Sequence, residues 1–210
     1  IYFFLFLLLA LSKGKPYYLA PVYPVLFASG AVLISEFIEH RRFNRLKPAL
    51  LVYVTAAGLV IMPLAIPVLS PESMIKYSAS LGITPASAEK SELGVLPQHF
   101  ADRFGWMEMT EKISRVYNLL SPSERQRTGI LAKNYGEAGA INYYGRKLGL
   151  PKCMSGHNNH WLWGPLNDSV KTLILVGDFE YDELAETFEE FIQIDVTSAK
   201  YSMPYENNLP

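Results

Sequence analysis

The sequence predicts a helical membrane region followed by a small soluble α/β domain with a partly parallel sheet. Three observations lead there. Residues 16–69 are dominated by Leu, Ala, Val, Ile, Tyr and Phe. After Pro71 charged residues recur every few positions and the apolar ones become periodic. Within that second part, strand and helix patterns alternate, the order that builds a layered α/β sheet. The chain has 210 residues, 50% of them hydrophobic, and a formal net charge of -1, so the average hides a division between two unlike parts. Near-neutral charge leaves no electrostatic footprint for nucleic acid. A single cysteine, Cys153, excludes an internal disulfide framework and any Cys-rich metal site.

The opening run IYFFLFLLLAL is too short to cross a hydrocarbon layer of about 30 Å by itself. No basic segment precedes it and no small-residue cleavage site follows it, so it does not read as a signal peptide. It reads as the cut end of an earlier helix, and residues 1–69 as the last part of a polytopic region. Segments 17–38 and 49–69 each approach the roughly 20 apolar residues of a spanning helix. Between them the loop EHRRFNRLK holds Arg41, Arg42, Arg45 and Lys47, a cluster that the positive-inside rule places in the cytoplasm. Parity then puts residues 12–16 and everything after Leu69 on the opposite face: periplasm, cell exterior or lumen. Lys13 and Lys15 oppose the rule, but they are outnumbered by the four basic residues of the other loop.

Residues 70–96, rich in Pro, Ser and Ala, read as a connector with at most a short helix over 72–81. Residues 97–210 read as the soluble domain. Phe104, Met107, Ile113, Val116, Tyr117 and Leu120 fall near helical spacing and predict an amphipathic helix over 102–120, ended by the turn SPSER. A strand over 128–133, a turn over 134–136 and a helix over 137–145 follow. VKTLILVGDF then predicts a second buried strand and DELAETFEEFIQI a second helix with a solvated acidic face. The last residues, MPYENNLP, stop after a turn-like Asn-Asn pair where another strand could begin, so the domain reads as truncated at its C-terminus.

Three groups of residues invite a functional reading. Lys15 beside Tyr17 and Tyr18 at a membrane surface suits a lipid phosphate, the ammonium supplying charge and the phenols hydrogen bonds. The bland alternative is a snorkelling lysine within an aromatic belt. NYGEAG follows a strand, where α/β sheets place ligands, and its helix start offers N–H groups to an anion. Against that, it lacks the G-x-G-x-x-G spacing and Glu137 repels phosphate; Gly136 then only makes the turn and Glu137 complements the helix end. In SGHNNHWLWGP, Trp161 and Trp163 offer flat faces to a sugar ring while His157, Asn158 and Asn159 bond its hydroxyls. Alternatively the Trp pair anchors the loop to the core or rests on the membrane surface. His157 and His160 have no third ligand nearby in sequence, so no metal site is expected among these residues. Cys153 reads as a buried free thiol, a Cys-His nucleophile being unsupported.

The stretch GKPYYLAPVYPVLFASGAV resembles the late transmembrane region of bacterial membrane glycosyltransferases of family 39, relatives of the protein mannosyltransferases and of the aminoarabinose transferase of lipid A. LPQHFADRFGW, NYGEAGAINYYG, SGHNNHWLWGP and MPYENNLP, in that order, resemble the soluble tail of a bacterial subgroup. The resemblance implies a GT-C fold, a polytopic helical enzyme that moves a sugar from a polyprenyl-phosphate carrier to a lipid, glycan or protein acceptor on the non-cytoplasmic face of a bacterial inner membrane. It implies carrier-phosphate contacts for Lys15, Tyr17 and Tyr18, and a tail that aids acceptor binding or caps the site. Glu137, His157 and Asn158 match the tail motifs without a role to transfer. The family's catalytic carboxylate, and any divalent metal it assists, would lie before Ile1, so the chain alone is expected to be inactive. Asn159 and His160 depart from the expected Ser and aromatic residue, which leaves the acceptor contacts in doubt. The competing expectation is a membrane-anchored small-ligand-binding or sensor module without catalysis.

Overall fold

The computed structural model describes residues 2–85 and 92–210. The chain divides into two compact units, Ile1–Ser70 and Pro71–Pro210. The expected boundary placed 70–96 outside the soluble domain. Instead the connector's helix is part of the second unit, with Met74 and Leu96 fully buried. Residues 86–91 of that expected connector lie outside the described residues.

The first unit is helical. Helix α1 covers Tyr2–Leu11, and a 3-10 helix over Pro16–Val22 leads into α2, Tyr23–His40. The 3-10 segment reflects three prolines, Pro16, Pro21 and Pro24, each of which lacks the N–H that an α-helical ladder needs. Helix α3, Leu46–Ala65, is connected to α2 by the basic loop, across which Lys47 Nζ contacts Glu39 Oε1 at 2.5 Å. It stops four residues earlier than residues 49–69 suggest, and the reason is local: Ile66 precedes Pro67 and is extended (φ -117°, ψ 132°), the conformation proline imposes on its neighbour. Among the described residues two helices, Tyr17–His40 and Leu46–Ala65, are long and apolar enough to cross a bilayer. Of their described residues only Leu19 and Ile38 are buried within the protein.

The second unit begins with α4 (Pro71–Ser80) and a short helix α5 (Gln98–Ala101), then the amphipathic α6 (Trp106–Leu119) and a one-turn α7 (Pro122–Arg125). The turn SPSER closes as a capping box, Ser121 Oγ accepting from Glu124 N and Ser121 N donating to Glu124 Oε2. Strand β1 (Thr128–Ala132) is followed by α8 (Tyr135–Tyr144), β2 (Cys153–Met154), a 3-10 turn (Asn158–Trp163), β3 (Thr172–Val176) and α9 (Tyr181–Thr187). The sheet has order β2-β1-β3 and every pairing is parallel, with Ile130 opposite Cys153 on one side and Ile174 on the other. Its core joins Met109 and Ile113 of α6, Ile130 and Ala132, Ala138 and Ile141 of α8, Cys153 and Val176.

Two differences from the expected pattern have physical causes. Strand β2 is only two residues long, below what periodicity resolves, and it is held by a side chain. Asn142 of α8 accepts from Cys153 N and donates to Cys153 O, both at 2.9 Å, supplying the bonds a further strand would make. The expected long helix over DELAETFEEFIQI ends at Thr187. Glu186, Glu189 and Glu190 would stack like charges at helical spacing, and Ile192 and Ile194 are exposed, so no burial offsets that repulsion. Lys112 of α6 instead draws the following chain to itself, bonding Asp195 Oδ1 at 3.0 Å and Val196 O at 2.5 Å. The tail then turns back, Thr197 pairing antiparallel with Leu209.

Candidate functional site

In the first unit Lys15, Tyr17 and Tyr18 are neighbours. Lys15 caps the 3-10 helix in an extended conformation and its Nζ lies 5.9 Å from the centre of the Tyr17 ring. The Tyr17 and Tyr18 rings meet edge-on at 4.9 Å and both are exposed. One ammonium and two phenol hydroxyls thus stand at the N-terminal end of an apolar helix, a donor set suited to a phosphate oxygen.

The second unit concentrates its unusual chemistry at the carboxyl ends of the parallel strands. With order β2-β1-β3, the chain leaves β1 toward one side and returns on the other, and the crevice between β1 and β3 is the topological switch point. Asn134 caps α8 there. Its Oδ1 accepts from Gly136 N at 2.7 Å and Glu137 N at 3.0 Å, while Asn134 N donates to Glu137 Oε2 at 3.1 Å. Those helix-start N–H groups, which the sequence offered to an anion, are occupied by the cap. Gly136 packs rather than gapes: a Cβ would come 3.3 Å from the Trp106 ring and 3.0 Å from Asn134 Oδ1. The bland reading of the glycine and the cap is the one the geometry supports.

Glu137 itself is unusual. Only 2% exposed, it lies under Gly177, where a Cβ would approach its carboxylate oxygens to 2.9 and 3.0 Å. Burial pushes its pKa up to about 7 against the lowering effect of backbone hydrogen bonds. A second carboxyl, Glu206 of the C-terminal segment, faces the same small cavity and is also raised to about 7, first by burial and then by the charges of Asp102 and Glu137. Its Oε2 is buried with no hydrogen-bond partner among the described residues. The cavity, about 20 Å³, is walled by Phe104, Trp106 and Met109 on one side and by Thr197, Ala199 and Leu209 on the other. That volume holds about one water molecule. The tail therefore fills the switch point, and Gly177 N donating to Pro210 O at 3.0 Å fastens its end.

The SGHNNHWLWGP segment divides. Its first half joins the carboxyl edge: Ser155 Oγ reaches Lys133 O at 3.5 Å, His157 N donates to Ser155 Oγ at 3.2 Å, and the exposed His157 ring lies edge-on to Tyr135 at 5.1 Å. Exposed Asn158 takes a left-handed conformation, φ 52°. The second half turns back, Lys152 Nζ bonding Trp163 O at 2.8 Å beside the start of β2. Glu137 and His157 thus belong to one edge, whereas Trp163 is tied elsewhere. Among the described residues no group of three His, Cys, Asp or Glu could hold a metal ion. Cys153 is buried and its thiol pushed up to about 12 by burial, which suits the inert thiol expected and not a nucleophile. Sequence reasoning assigned nothing to Glu206, Asp102 or Asn142; the first two stand inside quoted motifs, but only the fold brings Glu206 to Glu137 and Asp102 to Glu206.

Comparisons with protein-family models, with curated proteins and with solved structures find no match to this chain.

Proposed function

We propose that this chain is the C-terminal part of an integral membrane glycosyltransferase of the GT-C type. In that reading it transfers a sugar from a polyprenyl-phosphate carrier to an acceptor on the non-cytoplasmic face, and its second unit is a periplasmic or extracellular cap. One observation carries the reading. The four separated stretches whose order prompted the family resemblance meet in space: Trp106 packs on Gly136, Tyr205 bonds both Gln98 and Asp102, Glu206 faces the cavity of Glu137, and His157 touches Tyr135. Their meeting in one unit accords with a single surface formed by the four stretches, which is what the reading asks of the second unit. The competing reading is a tethered small-ligand module without catalysis.

Lys15 would hold the carrier phosphate by its point charge, and Tyr17 and Tyr18 would donate hydrogen bonds to phosphate oxygens. As the glycosidic bond breaks, negative charge grows on the leaving phosphate, so donors fixed there favour the transition state over the ground state. The acceptor's activating base is not assigned to any residue of this chain. Replacing Lys15 with Ala in the full-length enzyme tests the reading. Sugar transfer should fall on the order of tenfold or more, with apparent affinity for the carrier weakened, as loss of a charge-assisted bond implies. Unchanged affinity removes the phosphate role.

A further inference from the structure

The 3-10 turn Asn158–Trp163 presents three consecutive large apolar side chains to the outside: Trp161, Leu162 and Trp163 are 61%, 61% and 60% exposed. Such a run is not what a turn in water retains, and it is held in place rather than loose. His160 of the same turn points inward, 7% exposed, and lies against the Trp163 ring at 4.6 Å, so the turn is pinned from beneath. Part of the tip's backbone is paired, His160 N donating to His157 O, Gly164 N to Trp161 O, and Lys152 Nζ to Trp163 O, whereas both ring nitrogens of His160 are buried with no hydrogen-bond partner among the described residues. Each paired peptide group lowers the cost of seating the tip in a low-polarity layer, where an unpaired one is costly. Lys152 also lies over the Trp163 ring at 5.9 Å, placing an ammonium behind the aromatic tip.

We propose that Trp161, Leu162 and Trp163 form a wedge that docks in the interfacial layer of the bilayer carrying this chain's own helices. The inference rests on reading Tyr17–His40 and Leu46–Ala65 as membrane spans, which keeps a lipid surface within reach of the second unit at all times. Indole rings with Leu between them match that layer, where one side of the ring meets acyl chain and the N–H meets headgroups. The ammonium of Lys152 suits anionic headgroups at the rim. The turn is too short to span anything. Its role is to hold the second unit to the lipid surface. A sugar ring is the other occupant these indoles could take, and the experiment distinguishes the two.

The test uses the full chain in nanodiscs of phosphatidylcholine and phosphatidylglycerol whose acyl chains are brominated near the headgroup. The protein has three tryptophans, and Trp106 is partly buried with its Nε1 donating to Asp102 O, so quenching reports on the wedge. Brominated lipid should lower the emission clearly below that in unbrominated lipid, because the indoles of an interfacial segment sit at the headgroup boundary. W161F/W163F, which keeps Trp106, should lose that quenching, and L162E should reduce it while the thermal melt stays unchanged. W106F, reporting from the wedge alone, should be quenched more completely than the wild type. Emission indifferent to bromine in a chain that stays in the disc overturns the wedge and leaves the spans intact. Quenching that persists in W161F/W163F overturns it too, as does a response to soluble oligosaccharide in place of lipid. Release of the chain from the disc by alkaline wash overturns the spanning reading itself.

Discussion

Glu137 has two tasks that pull in opposite directions. Its carboxylate closes the capping box by accepting from Asn134 N, a bond that favours the charged form, while its burial favours the neutral one. Burial is the larger effect, and the pKa rises from the ordinary 4.5 to about 7. A raised carboxyl stabilises the fold fully below the unfolded value; that contribution is lost as pH climbs through the folded one. Stability of the second unit should therefore decline between pH 4.5 and about 7 and level off above it. Glu206, raised by the same cause, adds to the slope in the same direction. Glu137→Gln keeps an acceptor for Asn134 N and cannot ionise. In thermal or urea unfolding of the detergent-solubilised chain it should match the wild type near pH 4.5 and exceed it by about 3 kcal/mol at pH 8.5. A variant equally stable with wild type at both pH values would show that the native carboxyl titrates normally. Gly177→Ala addresses the same contact from above. At φ 106°, with a Cβ 2.7 Å from Lys133 Cβ and within 3.0 Å of both Glu137 oxygens, it should destabilise the unit at every pH.

At the scale of elements, the second unit depends on caps more than on long helices. Helix α8 has ten residues, a length that is marginal in isolation, yet it joins β1 to β2 and covers the core with Ala138 and Ile141. Asn134→Ala removes the acceptor for two N–H groups at its start and should cost about 1 kcal/mol, read as a shift of the unfolding midpoint. Asn134→Asp should recover most of that loss, since it restores an oxygen acceptor. These elements also show how much of the fold was legible in the sequence. Strands β1 and β3 are five-residue, mostly apolar runs that each follow a basic residue, and such runs declare themselves. Strand β2 could not, because its pairing depends on the Asn142 side chain rather than on any pattern of its own. The end of α9 was hidden for a different reason: the apolar spacing of FEEFIQI is helical, but the Lys112 contacts that redirect the chain come from a helix distant in sequence. The site divides along the same line. Glu137 and His157 stand out by composition, whereas the burial that alters Glu137 comes from α6 and the returning tail, which local pattern does not reveal.

At the scale of the whole molecule, the proposed task requires Lys15 and the second unit to share a face of the membrane while the basic loop lies on the other. Arg41, Arg42, Arg45 and Lys47 outnumber Lys13 and Lys15, which sets this orientation when both long apolar helices cross the bilayer. Cys153 makes this testable without a cysteine-free background. Its thiol is buried and raised to about 12, so a membrane-impermeant maleimide should leave the folded wild type unlabelled and react only after denaturation. Asn44→Cys, in the exposed basic loop, and Ser169→Cys, on the exposed chain before β3, are then clean reporters separated by a single span. On intact cells Ser169→Cys should label and Asn44→Cys should not until the membrane is opened. The reverse pattern would keep the spans and invert the protein, placing Lys15 on the cytoplasmic face, where an externally directed transfer cannot use it. Labelling of both reporters from the same side would remove the span between them, and with it the parity that puts Lys15 and the second unit on one face.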